Sequence, residues 1–255
     1  MRFYASLGGR VMPPFVYPHH VESEIEIFIL VDGDVSFAVE SKVYKMKRGD
    51  IIVTKPNEMH HCIRNTATAN DHYCFHFEPS DEAIFGDFMN HGFGCDNLIS
   101  PSGEDRELIL ELAEKINREF SGGGDALRRM ALVLTLLDTV KKNAGHSEGW
   151  ERLPEPLDKI LEIIDARLSE EDLLDAVCDE FFVSRSTLGR LFKRYLGTTP
   201  HMHLEAKRLA IARRMLEQGV SVSESSRAVG FRSTSSFIRL FKRRFGETPL
   251  KYAQK

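Results

Sequence analysis

Histidines and a carboxylate are concentrated in the first third of the chain, at spacings that could support metal or small-molecule chemistry. His19 and His20 stand just before Glu26, and His60 and His76 follow it at longer range. Two or three imidazoles with one carboxylate can hold iron, manganese or zinc and leave a coordination position open. If these side chains converge inside a small β-structure, they could equally line a pocket for a ligand with several hydroxyl groups. The residues alone leave both alternatives open.

A basic helix near the C-terminus is the second candidate for chemistry. Ser233 is a good N-cap, Gly246 is a typical helix stop, and Pro249 prevents the helix from resuming. Its two faces differ in character: Phe237, Leu240, Phe241 and Phe245 lie on one, and Thr234, Ser235, Ile238, Arg239, Lys242 and Arg243 on the other. Such a helix can pack on a small domain and enter a DNA major groove. Alone, it could also be an ordinary amphipathic helix with a solvated basic face.

The basic helix has a second copy earlier in the chain. Segments 188–200 and 237–249 share the pattern R-L-F-K-R-x-x-G-x-T-P, and Ser184 takes the cap position of the first copy. A short helix is predicted before each copy, at 172–180 and 222–229, so each copy forms a helix-turn-helix. One helix from Pro200 to Gly219 is expected to join them. It would present two recognition helices to successive major grooves, about 34 Å apart.

Spacing along these two helices assigns roles to their outward side chains. The base-facing set of the first copy is Arg185, Ser186 and Arg190, and that of the second copy is Thr234, Ser235, Ile238 and Arg239. Gly189 lies on the base-facing side of the first copy but offers no side chain, so that copy is expected to read bases less well. Contacts with phosphates are assigned to Lys193, Lys242 and Arg243.

The elements that position these groups differ between the two halves of the chain. Residues 1–80 have the pattern of short strands, with a hairpin at Asp32-Gly33-Asp34 and a strand pair around Arg48-Gly49-Asp50, as in a small sandwich or barrel. Residues 92–103 indicate loop and an edge strand. Amphipathic helices are predicted at 104–120 and 125–143, where they could cap the barrel or pair with a second subunit. Residues 145–156 have the composition of a linker.

Charge and cysteine usage narrow the class of protein. The chain has 255 residues and a net charge of −4, yet residues 185–255 carry 16 Lys and Arg against 4 Asp and Glu. Basic charge is therefore concentrated where phosphate contacts are predicted. No membrane-spanning apolar run or signal-peptide pattern is present. The cysteines are scattered without C-x-x-C spacing, which favours a reduced, cytoplasmic protein: Cys62, Cys74, Cys95 and Cys178.

Both halves resemble known families. The N-terminal half resembles the cupin barrel through two spaced motifs, formed by His19, Glu26 and Gly33, and by Gly49, Asp50, Pro56 and His60. Val21 stands where the first cupin motif has its second histidine, so we expect neither a metal nor another cofactor. Residues 157–252 resemble the AraC/XylS family DNA-binding domain, through the motif G-F-x-S-x-x-x-F-x-R-x-F-K-x-x-F-G-x-T-P at 230–249.

The resemblance implies an α+β, multidomain transcription regulator. Its expected parts are a cupin-like effector-binding barrel at 1–102, a helical dimerisation or capping segment at 103–144, a linker at 145–156, and an AraC-type DNA-binding domain at 157–255. The implied partners are promoter or operator DNA, a small-molecule effector such as a sugar, a second subunit, and RNA polymerase if the protein is an activator. The candidate effector pocket comprises His19, His20, Glu26, His60 and His76.

Two other functions remain as alternatives. One is a cupin-type metalloenzyme with a helical appendage, although Val21 and the doubled helix-turn-helix count against it. The other is a DNA-binding protein that needs no ligand and whose barrel only dimerises. We expect a regulator that is not an enzyme. The sequence identifies neither the effector nor the operator.

Overall fold

The structure is a computed structural model that describes residues 3–6, 20–22, 24–66, 68–78, 82–92, 94–145, 150–151 and 153–254. Its contacts divide the chain into two compact units. The first comprises Met1–Tyr17 and Glu22–Arg152, and the second comprises Pro18–Val21 and Leu153–Lys255. None of the described helices is long and apolar enough to cross a membrane.

Short strands dominate the first unit. They are β1 (Phe3–Ser6), β2 (Ile25–Asp32), β3 (Val35–Val39), β4 (Lys42–Lys45), β5 (Ile51–Thr54), β6 (His60–Arg64), β7 (Asp71–Phe77), β8 (Leu98–Ile99) and β9 (Trp150–Glu151). They form a five-stranded sheet in the order β1-β7-β2-β5-β8 and a four-stranded sheet in the order β6-β3-β4-β9. The described strands of these two sheets do not join into a closed barrel, so the predicted barrel takes the form of a two-sheet structure.

The predicted hairpin at Asp32-Gly33-Asp34 is wrong. β2 pairs with β5 and β7, whereas β3 pairs with β4 and β6, so this turn connects the two sheets. The strand pair predicted around Arg48-Gly49-Asp50 is also wrong, because β4 and β5 lie in different sheets. Turn residues mark where the chain bends but do not fix which strand it pairs with next. At the first turn Asn70 crosses closely, and a Cβ built on Gly33 would lie 2.8 Å from its Cβ.

Strand β2 is buried on both faces. Ile25, Ile27 and Ile29 belong to a core shared with the helices, whereas Phe28 and Leu30 belong to a second core with the opposite sheet. Because side chains alternate along a strand, the carboxylate of Glu26 falls on the same side as Phe28. Glu26 is therefore placed in the space between the sheets.

Three helices complete the first unit. Helix α1 (Glu82–Met89) lies in a segment for which the sequence made no prediction, whereas the predicted edge strand is confirmed as β8, which pairs with β5. The two predicted amphipathic helices are confirmed as α2 (Gly103–Ser121) and α3 (Ala126–Lys142), which cover the five-stranded sheet. Three of their leucines remain exposed, by 38%, 78% and 43%: Leu108, Leu127 and Leu134.

The second unit is helical. Its helices are α4 (Glu155–Ala166), α5 (Leu173–Glu180), α6 (Arg185–Leu196), α7 (Pro200–Glu217), α8 (Val222–Ala228), α9 (Thr234–Phe245) and α10 (Pro249–Tyr252). α4 begins inside the segment predicted as a linker. The pairs α5–α6 and α8–α9 are the two predicted helix-turn-helix units, and α7 is the predicted connecting helix.

Candidate functional site

Matching caps define the two recognition helices, α6 and α9. At their starts, the Ser184 hydroxyl accepts a hydrogen bond from the Thr187 N–H at 3.0 Å, and the Ser233 hydroxyl accepts one from the Ser236 N–H at 3.4 Å. Both helices end on a glycine in the left-handed region, with φ of 66° at Gly197 and 78° at Gly246. The caps that the sequence predicted are thereby confirmed.

The repeated G-x-T-P segment links one helix to the next. Thr199 and Thr248 cap the following helices, α7 and α10, and each threonine is followed by a proline at the first helical position. The expectation that Pro249 only prevents resumption was incomplete, because Pro249 begins α10. A proline suits this position since its missing N–H would have no partner within the helix.

Apolar side chains anchor both recognition helices. Phe237 and Phe241 of α9 are fully buried, and they pack against Leu209 and Leu216 of α7. In α6, Phe192 is fully buried, and its ring meets the ring of His203 of α7 edge-on, with centroids 5.4 Å apart. The connecting helix therefore contributes to the core beneath both recognition helices.

The outward side of α9 carries the residues that were predicted to meet DNA. Thr234 is half-buried, and the other predicted members are exposed: Ser235, Ile238, Arg239, Lys242 and Arg243. Arg243 also forms an ion pair with Glu205 of α7 at 2.8 Å. These side chains lie opposite the buried phenylalanines, as a groove-reading helix requires.

The outward side chains of α6 make more hydrogen bonds within the protein than those of α9 do. Arg185 donates a hydrogen bond to the Asp175 carboxylate at 2.8 Å, and its guanidinium is 3.3 Å from the His201 ring. Arg190 donates to the Thr187 hydroxyl at 3.4 Å, and Lys193 donates to the Gly197 carbonyl at 3.2 Å. The four predicted DNA-contacting residues of α6 are exposed: Arg185, Ser186, Arg190 and Lys193. At Gly189, no described atom lies within 4 Å of a Cβ built there.

The turn of the second helix-turn-helix contacts the segment between α4 and α5. A Cβ built on Gly230 would lie 2.6 Å from the Ser169 carbonyl oxygen. Arg232 donates hydrogen bonds to Glu171 at 2.9 Å and to Asp172 at 2.6 Å. Arg208 of α7 donates to the carbonyl of Leu168 at 2.9 Å and also to that of Glu170. The two helix-turn-helix units are thus joined by more than the connecting helix, a feature the repeat did not predict.

Between the sheets of the first unit, polar side chains gather around Glu26. Glu26 and His76 are directly opposite each other on β2 and β7. The Glu26 carboxylate lies 3.9 Å from His76 Nε2 and 3.7 Å from Nε2 of His60, which comes from the other sheet. The sulfur of Cys74 is 3.5 Å from His76 Nε2. Glu26, His60 and His76 of the predicted pocket are therefore brought together, and Cys74 joins them.

The other two predicted pocket residues are His19 and His20. His19 lies outside the described residues, and His20 is half-buried and belongs to the second compact unit. Cys74 was not among the predicted site residues. Its alternation with His76 along β7 is the signal that could have placed both side chains on one face.

The two clustered histidines are held by their Nδ1 atoms. His60 Nδ1 lies 2.8 Å from the Glu58 carbonyl oxygen, and His76 Nδ1 lies 2.8 Å from the Glu22 carboxylate. Burial lowers the pKa of His60, but the charge of Glu26 and its hydrogen bond outweigh burial and raise that pKa to about 9. Burial also lowers the pKa of His76, and the hydrogen bond with Glu22 outweighs it, so the net shift is upward.

His72, which lies on the same face of β7, has a different environment. Its ring stacks on Phe28 with centroids 4.6 Å apart, and burial lowers its pKa. Cys62 of β6 is packed against the core between the sheets, and burial raises the pKa of its thiol to about 12. Both residues are neighbours of the cluster around Glu26, and both pack against apolar side chains.

Comparison with known proteins matches both units. A family model of the AraC-like ligand binding domain matches residues 4–137, and a helix-turn-helix domain model matches residues 177–255. The HTH-type transcriptional regulator YbfI of Bacillus subtilis is 24% identical over 224 residues, covering 86% of this chain and 80% of YbfI. The HTH-type transcriptional activator RhaS of Escherichia fergusonii is 30% identical over 156 residues, covering 59% and 56% of the two chains. RhaS of Escherichia coli SMS-3-5 is 24% identical over 252 residues, covering 93% and 88%.

Proposed function

Because the chain belongs to the AraC/XylS family of DNA-binding transcription regulators, we propose that it reads a promoter or operator under the control of a small effector. The observation that carries this proposal is the pair of capped helices, α6 and α9, anchored on one connecting helix. Each buries an aromatic underside and exposes basic and hydroxyl side chains. This is the arrangement with which a helix-turn-helix enters the major groove.

The base-reading residues are proposed to be unequal in the two helices. In α9, Arg239 is exposed beside Ile238, and these two suit a guanine edge and a thymine methyl. In α6, Gly189 occupies the position that corresponds to Ile238, and Arg185 is already bonded to Asp175. We therefore assign more of the specificity to α9, while Ser186 and Arg190 of α6 supply the remaining contacts.

Phosphate contacts are proposed for lysines and an arginine near the ends of the two helices. Lys193 lies in the last turn of α6, and Lys242 and Arg243 lie in the last turn of α9. All three are exposed. Such contacts position the protein on any duplex and carry no sequence information of their own.

The effector is proposed to bind between the two sheets of the first unit. Glu26, His60 and His76 are buried there, so a ligand reaching them would be enclosed. A carboxylate accepts hydrogen bonds and imidazoles can donate or accept them, which suits a ligand with several hydroxyl groups such as a carbohydrate. His19 and His20 are retained as proposed members of this pocket on the strength of their sequence positions.

Further properties follow from the family and from the exposed leucines. We propose a homodimer that uses Leu127 and Leu134 of α3, because these two exposed leucines are seven residues apart and lie on one face of the helix. Sedimentation of the full chain with and without Leu127→Glu tests this dimer.

The RhaS relatives are named activators, so we propose that this protein activates transcription through contact with RNA polymerase. We also propose that it acts in the cytoplasm and has no enzymatic activity.

A ligand screen tests the regulatory part of the proposal. The full chain is heated with a panel of carbohydrates, and any compound that raises the melting temperature is added to a gel-shift assay with bound DNA. A true effector should raise the melting temperature and also change DNA affinity, because the two equilibria are linked. A protein that binds DNA tightly but responds to no compound in either assay would instead be a ligand-independent regulator.

A further inference from the structure

Four side chains that commonly bind metals meet between the sheets of the first unit. Glu26, His60, Cys74 and His76 are all buried, with exposed fractions of 6%, 1%, 8% and 5%. Ligand atoms of Glu26, Cys74 and His76 all lie within 4.8 Å of one another, and Glu26 is shared with His60. One carboxylate, two imidazoles and one thiol form a mixed donor set that zinc accepts.

The separations between these atoms are close to those of a tetrahedral zinc site. Bonds of about 2.3 Å to sulfur and about 2.0 Å to nitrogen place two tetrahedral ligands about 3.5 Å apart. The sulfur of Cys74 is 3.5 Å from His76 Nε2. Two nitrogen or oxygen ligands would be about 3.4 Å apart, and Glu26 lies 3.7 Å from His60 and 3.9 Å from His76. These three separations therefore match a tetrahedral ion to within about half an ångström.

The Nδ1 atoms of both histidines lie near oxygen atoms, and that of His60 makes the hydrogen bond that is usual for a metal-ligating histidine. In each ring the Nδ1 atom contacts an outer acceptor, namely the Glu58 carbonyl for His60 and the Glu22 carboxylate for His76, both at 2.8 Å. If Nδ1 carries the proton, each Nε2 presents its lone pair towards Glu26. A ligating histidine typically donates its second N–H to a carbonyl or carboxylate in this way, which fixes the tautomer and the orientation of the ring.

Three of the four ligands stand on two directly paired strands. Glu26 on β2 is opposite His76 on β7, and Cys74 is opposite Phe28 in the same register. The fourth, His60, comes from β6 in the other sheet. Paired strands hold side chains more precisely than loops do, and an ion at this point would connect the two sheets.

We propose that Glu26, Cys74 and His76, with His60 as fourth ligand, bind a divalent transition-metal ion of the zinc class. The inference rests on the proposed effector pocket, since three residues are shared, and it adds an ion to that pocket. The sequence predicted no metal because Val21 replaces a cupin ligand. Cys74 and His76 come from a later strand, so this site does not need the missing histidine.

Cobalt titration tests the site directly. The full-length protein is freed of metal with a chelator, and Co²⁺ is added as a spectroscopic substitute for zinc. One equivalent should bind and produce a near-ultraviolet thiolate-to-cobalt charge-transfer band together with visible bands of a tetrahedral ion. Zn²⁺ should displace the cobalt and raise the melting temperature, because it binds only the folded state.

Matched variants identify the ligands. Cys74→Ser should abolish the charge-transfer band, and His76→Gln should weaken Co²⁺ binding by more than about 10-fold. Cys62→Ser and His72→Gln change the same residue types nearby, and both should leave the cobalt spectrum and affinity unchanged. The proposal is overturned if no stoichiometric cobalt binds, if the band survives in Cys74→Ser, or if Cys62→Ser abolishes it.

A gel-shift assay on the same preparations separates this inference from the proposed function. A protein that binds its DNA but takes up no cobalt would overturn the metal site and leave the regulator standing. A protein that binds cobalt through Cys74 but shifts no DNA would support the metal site and overturn the proposed regulator function. A melting temperature of metal-free Cys74→Ser close to that of the metal-free protein would show that the variant is folded.

Discussion

Gly230 lies directly against the backbone of Ser169: a Cβ built on Gly230 would stand 2.6 Å from the Ser169 carbonyl oxygen. Gly230 forms the turn before the second recognition helix, and Ser169 lies in the segment before the first helix-turn-helix. Arg232 reinforces the contact through Glu171 and Asp172. The close approach therefore fixes the second helix-turn-helix against the first, and it requires a residue without a side chain.

Replacing Gly230 with alanine should destabilise the second unit strongly. The residue has a φ of 81°, which is strained for alanine, and the new methyl group would meet backbone atoms that cannot move aside easily. We expect a loss of more than about 2 kcal/mol in the free energy of unfolding. Urea unfolding of the full chain measures it. Gly189→Ala is the matched control, because its site is open and helical, and it should be neutral or stabilising by up to about 1 kcal/mol.

Phe182 lies in the turn of the first helix-turn-helix, and there the opposite substitution, from a larger residue to glycine, is expected to stabilise the protein. It has a φ of 52° and is 96% exposed, so it bears backbone strain without burying its ring. Phe182→Gly should raise the free energy of unfolding by up to about 1 kcal/mol, because glycine tolerates this conformation. Phe182→Ala keeps the strain and should leave stability near the starting value. A lower urea midpoint for Phe182→Gly would mean that the ring makes a stabilising contact.

Arg239→Ala should weaken specific DNA binding by about 1–3 kcal/mol and relax selectivity at one base pair. Arg239 is exposed on α9 beside Ile238. Gel shifts with a series of base-substituted operators measure the effect position by position. Arg167→Ala serves as control, because that arginine is paired with Glu170 and Glu180 and is not on a recognition helix. An unchanged preference at every position would remove Arg239 from the base-reading set.

Lys242→Ala should lower affinity for all DNA sequences by a similar factor. A lost phosphate contact reduces the slope of log affinity against log salt by about one unit. The measurement is a salt titration of binding to specific and non-specific duplexes. Lys115→Ala on α2, a lysine paired with Glu111, is the control and should leave the slope unchanged. An unaltered slope for Lys242→Ala would contradict its phosphate role.

Local signals were enough to predict the second unit. Ser184, Ser233 and Gly246 act through hydrogen bonds and φ angles within a few residues, so sequence spacing locates them. The repeated T-P pair likewise marks where a new helix begins. The contact between Gly230 and Ser169 could not be predicted in this way, because it joins segments that are distant in the chain.

The first unit was predicted less completely because its strands pair over long distances. The turn at Asp32-Gly33-Asp34 looks like a hairpin, yet the chain crosses there from one sheet to the other. The histidines were identified from the sequence, and Glu26 lies near His60 and His76, as the proposed pocket requires. Cys74 was not included in that group, although its alternation with His76 along β7 places both side chains on one face.

Selection of bound sequences from random double-stranded DNA tests the central claim most directly. The full chain is used, with Arg239→Ala run in parallel. Two recognition helices on one connecting helix predict an enriched site with two elements about one helical turn apart, and with stronger preference in the element read by α9. Arg239→Ala should lose preference at one position of that element only. Recovery of no enriched sequence, or of a single element indifferent to Arg239, would contradict the account.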